Sequence, residues 1–185
     1  LHLFAAQGRL YRFGQDLRMR LQSLEHRLFV DTYFAEAFQK LGQAKPAAVG
    51  FDVMHAEPSR LGSQDDQALA LAIARANYPI VFPVEAAPLL FDRNPSAAGA
   101  VKPLAIFTQN PAVSLGHVNL IVDRDGIARR FPTGVLFEED DTFRYPFASE
   151  LVRRAGRTVP DDVRGNELLN IAYAAPAGSV RRIPF

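Results

Sequence analysis

Four carboxylates lie along one short stretch of this chain: Asp52, Glu57, Asp65 and Asp66. Oxygen donors gathered like this can hold a divalent cation, or accept hydrogen bonds from a polar ligand. The ordinary alternative is structural. Asp65 and Asp66 then open a helix, where negative charge is favoured by the macrodipole, and Asp52 pairs with an arginine or caps a backbone loop. Both readings stand at this point. Either way Asp52 is expected at a strand end, buried or half-buried, because an ionised carboxylate in the interior needs a partner. Arg129 and Arg130 are the natural candidates, since they follow an Asp-Gly turn on a neighbouring stretch.

The rest of the reactive inventory is thin. Asp123-Arg124-Asp125-Gly126 has the look of a calcium-loop start, but the sixth position is Ala128 and the twelfth Gly134, where that loop needs glycine and a bidentate glutamate. Asp125-Gly126 between two alternating apolar runs is instead a hairpin turn, since both residues tolerate positive φ. His117 opens one of those runs; His2, His26 and His55 are scattered, with no paired metal-ligand spacing. A lone histidine at a strand start is more often a structural hydrogen-bonder than a catalyst. No glycine-rich phosphate loop and no Gly-x-Ser-x-Gly elbow occurs. No catalytic residue, metal centre or cofactor is expected. The candidates for a ligand-binding or structural polar network are Asp52, Glu57, Asp66, His117, Asn119 and Arg129.

Elements must position these groups. Val49, Phe51 and Val53 alternate with Gly50 and Asp52 between two prolines, which predicts a buried strand over 48–54. Ser63 is the expected N-cap of a helix over 64–77, with Leu69, Ala72, Ile73 and Ala76 at helical spacing. Tyr78-Pro79 breaks it, and a strand over 79–84 completes a βαβ unit. Further strands are expected over 103–108, 117–123, 127–131 and 168–174, and further helices over 32–42 and 146–155. Gly42 is placed to end the first of these helices in the left-handed conformation. Thr133–Glu139 should extend the hairpin to an antiparallel meander, turning at the acidic cluster Glu138–Asp141. Leu10, Phe13, Leu17 and Leu21 form an apolar stripe on an N-terminal helix, with arginines mostly outside it. The expected architecture is a single α/β domain: a mixed sheet with flanking helices and an antiparallel hairpin or meander in the second half. Residues 1–24 would form the leading helix and 25–185 the α/β body.

At 185 residues with 48% hydrophobic side chains, one domain can bury a real core without cross-links. Cysteine is absent, which removes disulfides, thiolate catalysis and zinc ribbons from consideration. Twenty-one Lys and Arg against 20 Asp and Glu leave a net charge of +1, so neither nucleic acid nor an anionic membrane is expected as partner. No window approaches the roughly 20 apolar residues of a membrane span. The chain opens at Leu1 without methionine or a signal-like segment, and is expected to be excised from something longer, or processed.

Two blocks carry a resemblance. VGFDVMHAEP (49–58) followed by QDDQALALAIARANYPIVFPV (64–84), and SLGHVNLIVDRDGIARRFP (114–132), are similar to the CHASE domain of the second type. PFASELVRRAG (146–156), LLNIAYAAPAG (168–178) and the leading YRFGQDLRMRLQ (11–22) match it in kind and in order. One departure precedes Asp31: the tryptophan-, proline- and arginine-rich turn of that family, with the strand before it, has no counterpart between Leu21 and Asp31.

The resemblance implies an extracytoplasmic sensor of a bacterial signalling protein, held in the membrane through helices flanking it. The output module inside would be an adenylate cyclase, histidine kinase, diguanylate cyclase or Ser/Thr kinase. It further implies an unidentified small-molecule ligand and a homodimer, because such receptors generally work in pairs. The chain's N-terminal helix and its Arg181–Phe185 tail should then lie on one side of the domain. Two other functions compete with this one. A carboxylate- and metal-dependent hydrolase would use Asp52, Glu57 and Asp66, but shows no accompanying histidine ligands or second acidic cluster. A pure dimerisation scaffold would bind no ligand.

Overall fold

A computed structural model describes residues 3–5, 30–91, 95–159 and 167–171, with only the backbone at 3–5, 30 and 91. Strand β1 (Leu3–Ala5) is followed by α1 (Val30–Gln43), β2 (Val49–Phe51), α2 (Ser63–Arg75) and β3 (Ile80–Ala86). Three short strands come next, β4 (Leu89–Phe91), β5 (Pro95–Ala97) and β6 (Ala100–Val101), then the one-turn helix α3 (Ala105–Thr108) and β7 (Val113–His117). The second half contains β8 (Ile121–Val122), β9 (Ala128–Pro132), β10 (Val135–Phe137), β11 (Thr142–Arg144), α4 (Phe147–Arg154) and β12 (Leu168–Asn170).

The main sheet is mixed. β3 runs parallel to β2 and to β7, while β1 is antiparallel to β2 and β6 pairs antiparallel with the end of β3. Alternation along the strands separates its two faces. Val49, Phe51, Ile80 and Phe82 pack with Phe34, Phe38 and Leu41 of α1 and with Leu69, Ala72 and Ile73 of α2. Ala48 and Val81 point the other way, against Leu151 and Phe147 of α4. The result is a sheet sandwiched between helices. α4 can lie so close because glycines face it: a Cβ on Gly116 would sit 2.5 Å from the Phe147 Cα, and one on Gly50 3.0 Å from the Phe147 ring. Two smaller sheets, β11-β10-β5-β4 and β12-β9-β8, complete the domain. The expected single α/β domain with a mixed sheet and flanking helices is what the chain forms.

Several expectations need correction. Residues 103–108 are not a strand. Leu104 and Phe107, three apart, both turn into the core while Ala105 and Ile106 face solvent, which one helical turn achieves and a strand does not. The strand on that side of β3 is Val113–His117. His117 therefore closes a central parallel strand instead of opening the hairpin, and the hairpin proper pairs Ile121 and Val122 with Arg130 and Ala128. Val135–Phe137 leaves the hairpin sheet, pairs with β5 and β11, and turns at Glu138–Asp141 as expected. The first helix runs on through Gly42 to Gln43, and the left-handed residue after it is Lys45, φ 48°. Strand 168–174 is described only to Ile171, and 172–174 lie outside the described residues, as do the stripe Leu10–Leu21 and the tail Arg181–Phe185.

Candidate functional site at the carboxyl ends of the parallel strands

β2, β3 and β7 point the same way, so their carboxyl ends share one edge of the sheet, the edge where α/β sheets carry their ligands. The connection from β2 to α2 rises there and is held by the Val53 amide on the Phe51 carbonyl (2.9 Å) and the Leu104 amide on the His55 carbonyl (2.7 Å). Asp52 and Glu57 lie exposed on it. The expected burial of Asp52 and its pairing with Arg129 or Arg130 do not occur: Asp52 stands in water, and both arginines are engaged elsewhere.

The carboxylates that do gather are Asp31, Asp65 and Asp66. Ser63 is the first helical residue of α2, not its cap; Gly62, at φ 108°, holds the N-cap position, and no side chain bonds there. Freed from that duty, the first-turn carboxylates turn outward to other elements. Asp65 accepts the Thr32 amide at 3.0 Å, the Thr32 hydroxyl at 3.1 Å, the Ser59 hydroxyl at 2.8 Å and, at longer range, the Asp31 amide at 3.4 Å. The amides of Asp31 and Thr32 belong to the first turn of α1, where no intrahelical carbonyl can reach them. Asp65 thus caps a helix 33 residues away and stitches the two helix starts together. Asp66 accepts the Ser59 amide with both oxygens, at 3.1 and 3.2 Å, which fixes the connection to its own helix.

Asp31 is buried beside both. Burial first, then the neighbouring charges of Asp65 and Asp66 and a hydrogen bond to Asp66, push its pKa up to about 7. His55 closes the cluster, with its Nδ1 3.4 Å from an Asp31 oxygen. Its ring stacks on Phe51 (5.4 Å, 18°) and meets Phe34 and Phe107 edge-on, and this burial holds its pKa below the ordinary 6.5 despite the two aspartates. His55 Nε2 is buried without a hydrogen-bond partner among the described residues. Among those residues, no three His, Asp or Glu side chains are arranged to hold a metal ion; the free electron pairs of Asp65 and Asp66 face hydroxyls and amides.

The remaining candidates occupy separate places. His117 is 2% exposed, and burial pulls its pKa down to about 4 against a weaker pull from the Pro132 carbonyl, so it is a neutral core imidazole. Asn119 extends the sheet by its side chain: its Oδ1 accepts the Ala86 amide (2.9 Å) and its Nδ2 donates to the Ala86 carbonyl (3.0 Å). Arg129 grips both Asp125 oxygens at 2.8 and 2.9 Å and Asp123 at 3.0 Å, in solvent. Of the six groups read from the sequence, the β2–α2 connection brings Asp52, Glu57 and Asp66 to one edge; His117 and Asn119 serve the end of β7, and Arg129 the hairpin. Asp31 and His55 were not among them. Their sequence signal is faint, an aspartate at one helix start and two at the next, and only the packing of α1 on α2 brings these together.

The model of the CHASE2 domain matches residues 15–185. The chain therefore belongs to the CHASE2 family, a family of extracytoplasmic sensory domains of signalling proteins, not of catalysts. Comparison with curated proteins and with solved structures finds no significant match. No helix among the described residues is long and apolar enough to cross a membrane.

Proposed function

We propose that this domain is the ligand-sensing part of a membrane-bound bacterial receptor. It acts as a homodimer on the periplasmic side and passes small-molecule binding to a cytoplasmic cyclase, histidine kinase, diguanylate cyclase or Ser/Thr kinase. One observation carries the reading. The starts of α1 and α2 are bonded to each other at the carboxyl edge of the parallel strands. A molecule that meets the exposed Asp52 and Glu57 and shifts the β2–α2 connection would therefore shift the first turn of α1 as well. A ligand can move that equilibrium only by its differential affinity for the two arrangements.

The test is a thermal-shift screen of the chain against small metabolites and divalent cations. A ligand present at a hundred times its Kd stabilises the folded state by about 2.7 kcal/mol, which is roughly 5–10 °C for a domain of this size. A hit abolished by Asp52→Ala or Glu57→Ala supports the assignment. Hits indifferent to both substitutions would move the ligand away from this edge, and a fully silent screen over a broad panel would favour a dimerisation scaffold.

A further inference from the structure

We propose that Asp31, Asp65 and Asp66 form a proton-operated latch on the start of α1: with a proton held between Asp31 and Asp66 the cap is closed, and with that proton lost the first turn of α1 is released. The geometry supplies the mechanism. Asp65 can cap α1 only while its carboxylate stays against the Thr32 amide and hydroxyl, and Asp31 is one residue from that contact. Protonated Asp31 donates to Asp66 and adds no charge. Ionised, it becomes a third carboxylate in the same buried volume, and like charges at hydrogen-bonding range cannot all stay desolvated. Relief requires Asp31 to turn toward water, which draws the first turn of α1 off Asp65.

Among the described residues, no countercharge near the cluster prevents this. From α1 the facing groups are Asp31 and Thr32, from α2 Asp65 and Asp66, and from the β2–α2 connection His55 and Ser59. β2 and α3 contribute the neutral rings of Phe51 and Phe107 around His55. Burial among those rings holds the pKa of His55 below its ordinary 6.5, which works against an offsetting charge there near neutrality. Arg60, next to Ser59, is exposed, and among the described residues no Lys or Arg forms an ion pair with any of the three carboxylates. The raised pKa of Asp31 puts the transition near neutrality, where the medium outside a cytoplasmic membrane varies. Its use as an acidity input rests on the sensor reading above; the latch itself does not.

Carboxyl-carbon NMR of the chain reads the Asp31 titration, and hydrogen exchange of the Thr32 amide, corrected for intrinsic rate, reads the cap. The expected result is one shared midpoint near neutrality. Thr32 protection should fall about tenfold or more from about pH 5.5 to about pH 8, as a pKa difference of a unit or more supports. In Asp31→Asn that fall should vanish. If this variant does not fold, Asp66→Asn decides: removing one like charge must lower both midpoints together. Asp31 titrating in the ordinary carboxylate range would overturn the latch, and so would Thr32 protection that ignores the Asp31 midpoint in either protein. Neither failure touches the ligand screen, which tests the sensor reading separately.

Discussion

Three carboxylates sit together at the starts of α1 and α2, and two more sit at the Asp-Gly turn between β8 and β9. In the hairpin, Arg129 and Arg130 answer Asp123 and Asp125 with ion pairs of 2.8–3.0 Å in solvent. At the helix starts no arginine among the described residues answers; amides and hydroxyls do so instead, under nearly complete burial. The two regions use the same residue type under opposite solvation, and they should respond oppositely to acid. Arg130 and Arg129 hold Asp123 below the usual carboxylate range, and Arg129 does the same for Asp125, whereas burial pushes Asp31 above it. A hydrogen-bonded interior carboxylate is part of the fold's framework; a salt-bridged surface carboxylate is an ornament that salt can screen.

The largest effect expected from this contrast is that of Asp65→Ala. It strips the cap from α1 and leaves the Thr32 amide, the Thr32 hydroxyl and the Ser59 hydroxyl without their acceptor. Losing a helix cap and a buried charge-assisted bond together should destabilise the domain by about 3 kcal/mol or more. Urea unfolding measures it. A loss no larger than that of a hairpin aspartate would erase the distinction between the regions.

The pH dependence of stability sharpens the comparison next. Asp31 is held at about 7 in the folded chain against 3.8 as the reference, so between those values the native state binds the extra proton. Its contribution is fully present below about pH 4, is lost as pH rises through about 7, and changes at up to about 1.4 kcal/mol per pH unit in between. His55 opposes it in part: with its folded pKa lowered, it destabilises as pH falls below 6.5. The hairpin aspartates, with lowered folded values, lose their contribution only as pH falls through and below 3.8. Melting curves of Asp31→Asn should therefore lack the decline between about pH 4 and pH 7 and keep the slope of His55. A wild-type melting temperature that rises steadily over that window would contradict the assignment.

What the sequence disclosed follows the range of the interactions involved. The βαβ unit was legible because periodicity and proline breaks are local, and the Asp-Gly hairpin because two adjacent residues determine it. Residues 103–108 misled because a four-residue apolar run fits one helical turn or a strand equally well. The site was harder. Glu57 and Asp66 were picked from a sequence cluster, but the partner that gives Asp66 its setting, Asp31, is 35 residues earlier and joins it only through helix packing. Asp52 would need an arginine only if it were buried, and it is exposed.

Asn119 provides an intermediate case, a polar group used as a piece of sheet. Its amide replaces a strand partner for Ala86 with two hydrogen bonds. Asn119→Ala should weaken the domain by about 1–3 kcal/mol, since it leaves the amide and carbonyl of the buried Ala86 without their side-chain partner. Asn119→Asp, which keeps the acceptor and removes the donor, should recover part of this.

The smallest effect belongs to the hairpin arginine. Had Arg129 bridged to a buried Asp52, removing it would have stranded a charge in the interior and cost several kcal/mol. It bridges instead to Asp123 and Asp125, with 46% of its own side chain exposed and half or a quarter of theirs. Both aspartates stay solvated when it is removed, and Arg130 still reaches Asp123 at 2.8 Å. Exposed pairs of this kind contribute little, and that little is screened at high ionic strength. Arg129→Leu should therefore leave the melting temperature close to that of the wild type, with any difference shrinking as salt is added. Asp52→Ala should match it, having no arginine to lose. A large, salt-insensitive drop for Arg129→Leu would mean that the guanidinium supports the hairpin through something other than its two carboxylates, and the contrast between the solvated and the buried carboxylates would have to be redrawn around it.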